Sequence, residues 1–185
     1  MAAVCTVVVN STNTNDVNDE KLEQFYSLEE GAAQLLDQGR TFDAVKKLSY
    51  QAALGKNSYY SGTHRIRIKL HYGCAFIGIR SHHIRVEMDP YLMAGQYHKT
   101  PSTYGWITRG LRIVNGDSDG CRTKMDEMED VMIELTLHCD ERRLSIVMGK
   151  TNFLRDEMDV DHLHAPFPWR LFVQLNRGGG RISLL

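Results

Sequence analysis

Four groups of side chains in this sequence have the types and spacing to do chemistry. In "HRIRIKLHY", residues 64–72, Arg65, Arg67 and Lys69 alternate with Ile66, Ile68 and Leu70. Like charges two residues apart share one face of a strand and could grip phosphates. "NGDSDGCRTKMD" sets Asn115, Asp117, Asp119, Gly120 and Asp126 at the first, third, fifth, sixth and twelfth places of a calcium loop. His82-His83 and the run "DVDHLH", with Asp159, Asp161, His162 and His164, offer zinc-type ligands. His138-Cys139 pairs a base with a nucleophile.

Each has a plainer explanation. If the isoleucines of the cation row fill a core, the cations must face water or acidic cross-strand neighbours such as Glu134. The calcium pattern has Asn at its first place and Asp where a bidentate Glu is wanted, and strands flank it, so a solvated connection is expected. Adjacent histidines on a strand point apart, as do His138 and Cys139, which makes Cys139 a small core residue. The Asp159–His164 cluster supplies two or three ligands where zinc needs three or four with outer support. No G-x-S-x-G elbow, P-loop or dinucleotide fingerprint occurs. The expectation is a non-enzyme without cofactor or metal. The alternative is a metal-dependent enzyme using the Asp159–His164 cluster.

The bulk numbers agree. The 185 residues suffice for one domain with a substantial core. Net charge is −1, from 22 basic and 23 acidic residues, without the basic excess that phosphate neutralisation demands of a nucleic-acid binder. Cys5, Cys74, Cys121 and Cys139 lack C-x-x-C spacing, which suits reduced thiols in the cytoplasm or nucleus. The apolar start "AAVCTVVV" is too short to span a bilayer and has no preceding basic residue to make it a signal peptide. No membrane or nucleic-acid partner is expected.

The elements that must carry these residues have a period of two. Ile66, Ile68, Leu70 and Tyr72 face one way; Ile133, Leu135 and Leu137 alternate with Glu134, Thr136 and His138. Leu171, Val173 and Leu175 repeat the pattern, and Ile182 and Leu184 close it. Turn signals separate the runs at 60–62, 72–73, 115–117, 140–142 and 178–180. "DVMIELTLHCDERRLSIVM" is the clearest hairpin, burying Leu144, Ile146 and Met148 in its second arm. Many short strands joined by polar turns predict an all-β, two-layer antiparallel β-sandwich. Residues 1–24 are polar beyond their start and are expected to form a flexible tail, with domain 25–185 following. The β-branched run Thr6–Val9 could add to a sheet edge, in this chain or in a partner. Residues 27–39 carry helix signals in Ser27, Glu30 and Gly39, weakened by Gly31, and are ambiguous locally. The irregular stretch 81–103 exposes Tyr91, Leu92, Met93 and Tyr97, residue types enriched at contact surfaces. Trp169, between two prolines and an apolar run, is expected as a core plug. Tyr104 and Trp106, where the excursion rejoins the sheet, suit core packing and a binding surface equally.

The segments "YYSGTHRIRIKL", "FIGI", "STYGWI", "MEDVMIELTLHCDERRLSIVM" and "PFPWRLFVQLNRGGGRISLL" resemble a SPRY (B30.2-like) domain over roughly residues 25–185. "LLDQGRTFDAV" and "YQAALGKNSYYSG" fit the early strands of that family, which favours extended structure in 27–39. The resemblance implies a concanavalin-like jelly roll of two antiparallel sheets, without family-wide catalysis, whose loops at one end bind a peptide or protein. Relatives often serve substrate recognition in ubiquitin ligases. These residues contain no Cys/His array for a RING, so the expectation is a stand-alone, monomeric adaptor. The contact set expected is Tyr91, Tyr97, Tyr104 and Trp106.

Overall fold

The computed structural model describes residues 23–27, 33–44, 49–84, 96–122, 129–149 and 154–185. Twelve strands and no α-helix occur among them. They are β1 (Phe25–Ser27), β2 (Ala33–Leu36), β3 (Thr41–Ala44), β4 (Gln51–Gly55), β5 (Thr63–Ser81) and β6 (Thr103–Ile107). The rest are β7 (Leu111–Val114), β8 (Asp117–Arg122), β9 (Val131–His138), β10 (Arg143–Met148), β11 (Leu154–Asp159) and β12 (Trp169–Leu184).

Every ladder among the described residues is antiparallel, and β5 and β12 belong to both layers. The first half of β12 pairs β4 and the second half of β5; its second half pairs β3 and the first half of β5. Layer one therefore runs β1-β4-β12-β5-β6-β7-β8, and layer two runs β2-β3-β12-β5-β9-β10-β11. The two long strands bend together, where Gly73 lies opposite Gly180 and the register shifts between Leu175 and Gly180. Gly73, Gly178 and Gly179 all have positive φ. A side chain at Gly73 would meet the Gly179 carbonyl oxygen at 2.6 Å and the Gly180 Cα at 2.8 Å.

This corrects one sequence expectation. Tyr72-Gly73 and Gly178–Gly180 are not turns that end strands; they are bends within 19- and 16-residue strands. The same polypeptide signal, glycine at positive φ, serves a reversal or a sheet switch. A second correction follows from the bulge. Arg181 pairs Tyr72 while Ile182 pairs Leu70, so His71 is extra and the alternation flips after it. Tyr72 consequently leaves the core row and is 41% exposed, its hydroxyl donating to Asp43 at 3.2 Å.

Between the layers lies one core. Layer two contributes Ile66, Ile68, Leu70, Leu135, Leu144 and Ile182, all at most 1% exposed, and layer one contributes Ile77, Ile79, Leu171, Val173 and Trp169. Each such side chain contributes about 1.5–3 kcal/mol on burial. Trp169 is the expected plug, its indole N–H donating to the Ala165 carbonyl at 3.0 Å. Residues 33–36 are extended, and Asp37, Gln38 and Gly39, all at positive φ, turn β2 into β3. Gly39 thus closes a hairpin and not a helix.

The cation row is the wet face of layer two. Arg67 lies directly across from Glu134 and pairs with it at 3.3 Å; Lys69 reaches Asp130 at 2.9 Å. Arg181 and Asp43 form a further cross-strand pair at 2.5 Å. A shallow depression of about 550 Å³ on this face mixes Arg65 and Arg155 with Glu134, Asp156 and Glu157. Opposite charges interleave among the described residues of this face, which stabilises cross-strand pairs modestly.

The bend predicts an ordering of two substitutions. Gly178→Ala meets nothing within 4 Å and should cost only backbone strain, about 1–3 kcal/mol. Gly73→Ala adds a backbone clash to the same strain and should lower the urea midpoint further. Equal midpoints for the two variants would contradict the tight crossing.

Candidate functional site

Because both long strands double back at the bend, their free ends meet at the opposite end of the sandwich. Four connections converge there: residues 56–62, 82–84, 139–142 and 160–168. Tyr59 and Trp169 exchange backbone hydrogen bonds at 2.8 and 2.7 Å, and the Cys139 N–H donates to Gly62 at 2.9 Å. The His82 N–H donates to Pro168 at 2.9 Å, and the Val160 N–H to Arg142 at 2.7 Å. The Arg142 guanidinium sits 4.2 Å over the Phe167 ring, stitching the β9–β10 turn to the β11–β12 loop.

Beneath this rim is a carboxylate that sequence reasoning missed. Glu23, in the stretch expected as tail, is fully buried. It accepts from the Gln24 and Asn57 N–H groups, both at 3.1 Å, and from the Tyr59 hydroxyl in a short hydrogen bond. Gly55 leaves room for it, since a Cβ there would come within 2.8 Å of the carboxylate. The loop so anchored lifts Tyr60 to 68% exposure, and across the rim Leu163 is 73% exposed. Large apolar side chains at such exposure on an anchored frame are the usual raw material of a contact surface. Neither stands out in sequence, because each sits in an aperiodic loop.

The outer face of layer one is covered. Phe76, Phe172, Ala52, Leu54 and Ile113 form a second apolar cluster, with Tyr97 packed against it. Gly78 and Gly105 lie opposite one another, leaving space beneath the Phe76 ring, which is why Phe-Ile-Gly-Ile and Tyr-Gly-Trp occur where they do. Residues 96–100 lie over this cluster, held by polar bonds. The His98 N–H donates to Gln174 Oε1 at 3.0 Å, and Gln174 Nε2 donates to His98 Nδ1 at 2.7 Å. The His98 ring stacks on Phe76 with centroids 6.0 Å apart. Arg80 is buried as well, donating to Thr100 and Thr103 hydroxyls at 2.5 and 3.3 Å; burial lowers its guanidinium to about 10, still charged at neutral pH.

Of the expected contact set, Tyr91 lies outside the described residues. Tyr97 is half-buried on the second cluster. Tyr104 and Trp106 are each 1% exposed in the main core. Their two open alternatives thus resolve toward packing. The Trp106 indole N–H crosses to the other layer and donates to Asp156 at 2.7 Å. Tyr104 reaches toward Asp161, and burial, then that carboxylate, push its phenol pKa up.

The metal-like patterns do not converge among the described residues, where no three His, Cys, Asp or Glu side chains could hold an ion. Asp161 pairs with His164 at 3.3 Å, and its carboxylate is held below the usual range chiefly by the Leu163 N–H. Asn115-Gly116 is the turn of the β7–β8 hairpin, with Asn115 Oδ1 accepting from the Ser102 N–H at 2.8 Å; Asp126 lies outside the described residues. Asp119 pairs with Arg112. Cys139 is fully buried with its thiol pushed up to about 12, chiefly by burial, while His138 turns away to Ser145 at 3.2 Å. Nothing in this arrangement favours an enzyme, and among the described residues the Asp159–His164 cluster does not gather three converging ligands.

Two antiparallel layers sharing bent strands, with loops gathered at one end, define a SPRY-like β-sandwich. Solved structures share it: the TRIM65 PSpry domain has a TM-score of 0.63 at 12% identity, covering 83% of this chain and 84% of that one. The SPRY domain of human HERC1 gives 0.60 at 15% identity, covering 84% and 94%. Stonustoxin gives 0.65 at 12% identity over 88% of this chain, which spans only 27% of it. No protein-family model matches the sequence, and neither does any curated protein.

Two outcomes follow. Trp106→Ala should cost about 3–5 kcal/mol, the range for an emptied aromatic core site, seen as a lowered denaturation midpoint; an unchanged midpoint would show that Trp106 is not core. Burial, more than the opposing Gln174 bond, lowers the pKa of His98 below 6.5. Its folded form is therefore neutral, and the unfolded chain binds the extra proton. That contribution to stability is complete above about 6.5 and shrinks as pH falls through 6.5 toward the lower folded value. Amides of residues 97–100 should exchange faster at pH 5.5 than at 7.5 after correction for intrinsic rates, and His98→Leu should flatten the difference.

Proposed function

We propose that this chain is a non-enzymatic protein-interaction module that binds a peptide or protein surface through the loops at the open end of its sandwich. The observation that carries this reading is the placement of Tyr60 and Leu163, the two most exposed large apolar side chains among the described residues, on loops anchored by buried Glu23 and Trp169. A stiff frame lets such side chains bind with little ordering cost. Charge pairing across the outer face of layer two supports placing recognition at the rim and not on that sheet. Two of the similar structures are SPRY domains, which supports an adaptor or substrate-recognition role in the cytoplasm or nucleus. No described helix is long and apolar enough to cross a membrane.

Within this reading Tyr91 and Tyr97 remain contact candidates on the excursion that leaves the rim, and Tyr104 and Trp106 act from below as supports. The test is affinity capture from the source organism with intact protein and with the double variant Tyr60→Ala/Leu163→Ala. Exposed sites cost little stability, about 0.5 kcal/mol or less each. The variant should therefore keep its denaturation midpoint and lose its specific partner. Retention of every captured partner would reject the rim as the site.

A further inference from the structure

We infer that the rim carries an oxyanion site, built from Lys56, His82, His83 and Arg170, that takes a carboxylate or phosphate group of the bound partner. It rests on the rim reading for the partner, but the site itself is drawn from this chain's own residues. Arg170 stands directly opposite Arg80 near the rim end of the β5–β12 ladder. The bond from the His82 N–H to the Pro168 carbonyl continues that register, so His82 shares the outer face of layer one with both arginines. Phe172 and Leu54 belong to the same face, and Lys56 lies two residues past Leu54, its N–H donating to the Gln24 carbonyl at 2.9 Å. The His83 ring sits 5.3 Å from that of His82. Lys56, His82 and His83 are exposed, and all three belong to rim connections.

Layer two gives Arg67, Lys69 and Arg181 an acidic neighbour each, but this corner does not follow that pattern. Among the described residues no carboxylate pairs with Lys56, His82, His83 or Arg170. Lys56 Nζ donates to the Gln24 amide oxygen at 2.7 Å. Arg170 donates to the Tyr26 hydroxyl at 2.8 Å, and its Nε is buried without a hydrogen-bond partner among the described residues. Glu23, beside Gln24, is buried and already accepts from Gln24, Asn57 and Tyr59. A buried N–H without an acceptor is costly, and a guanidinium fork matches the two oxygens of a carboxylate or phosphate. The Arg170 charge is also the chief cause that lowers the His82 pKa below 6.5, ahead of burial and His83. An anion beside Arg170 offsets that repulsion and raises the His82 pKa. By linkage, binding strengthens as pH falls and His82 gains its proton.

The test titrates the full chain with acetate and, separately, with inorganic phosphate, chloride holding the ionic strength constant. NMR follows the Arg170 Nε–H and the His82 ring. Both signals should shift saturably, and acetate should bind at least about threefold more tightly at pH 6 than at pH 8, where His82 is neutral. His82→Gln should flatten that dependence. Arg170→Gln should abolish saturation with its denaturation midpoint as the check on folding, and the exposed substitution Lys56→Gln should weaken both anions. Phosphate at least about tenfold tighter than acetate supports a phosphorylated side chain as the partner's group, and similar affinities support Asp or Glu. Shifts that never saturate, that chloride alone reproduces, or that persist in a folded Arg170→Gln chain overturn the proposal. Neither anion needs the partner, so loss of this site and failure of the rim reading are separate results.

Discussion

The crossing of β5 and β12 at Gly73 and Gly180 is the constraint from which the rest of the molecule follows. Two strands that remain paired while passing from one layer to the other must approach backbone to backbone at the bend, and a Cβ at Gly73 would collide there. In return the two layers cannot slide, because they share hydrogen-bonded strands as well as a core. The bend also fixes where the free ends go. Thr63 and Ser81 begin and end one strand, yet both lie at the end opposite the glycines, and so do the connections that leave them.

A sandwich built this way separates its surfaces by chemistry. The outer face of layer two is a lattice of cross-strand ion pairs and hydroxyls, each a small gain and together a neutral, hydrated sheet. The outer face of layer one would be an apolar patch if bare, since Phe76 and Phe172 project from it. Residues 96–100 cover it, and the bond pattern between His98 and Gln174 specifies their seat more sharply than apolar contact could. With His98 Nδ1 as acceptor and its own N–H as donor, the amide has one satisfactory orientation. Buried polar groups that are fully bonded add specificity of this sort, at the cost of sensitivity to protonation.

How far the fold is legible in the sequence depends on which faces each strand buries. Where one face is wet, alternation identifies the element, its register and its core row, as with Ile66, Ile68 and Leu70 or Leu144, Ile146 and Met148. Where both faces are buried the alternation disappears: Cys74-Ala75-Phe76-Ile77 is uninterrupted, and nothing in it separates the inner row from the row under the second cluster. Glycine carries two meanings that sequence alone does not distinguish, a chain reversal at Gly39 and a sheet switch at Gly73. Single-residue bulges are likewise silent, which is why Tyr72 leaves the row to which its spacing assigns it. The candidate site is less legible still. Aromatic residues next to a long loop, such as Tyr104 and Trp106, have the composition of an interface and the position of a core, and composition is indifferent to depth.

Depth also explains why the rim is held by polar groups and not by more apolar packing. A loop that must keep Tyr60 and Leu163 in water cannot be fixed by burying them, so its order has to come from the backbone. Glu23 supplies that order from inside, accepting two backbone N–H groups and the Tyr59 hydroxyl, while Arg142 does the same from the side over Phe167. Charge-assisted hydrogen bonds are about twice as strong as neutral ones and far more directional. The shape of the rim is therefore set independently of the residues it displays. On the proposed reading, that independence lets a sandwich of fixed architecture carry a recognition surface whose exposed side chains are free to change.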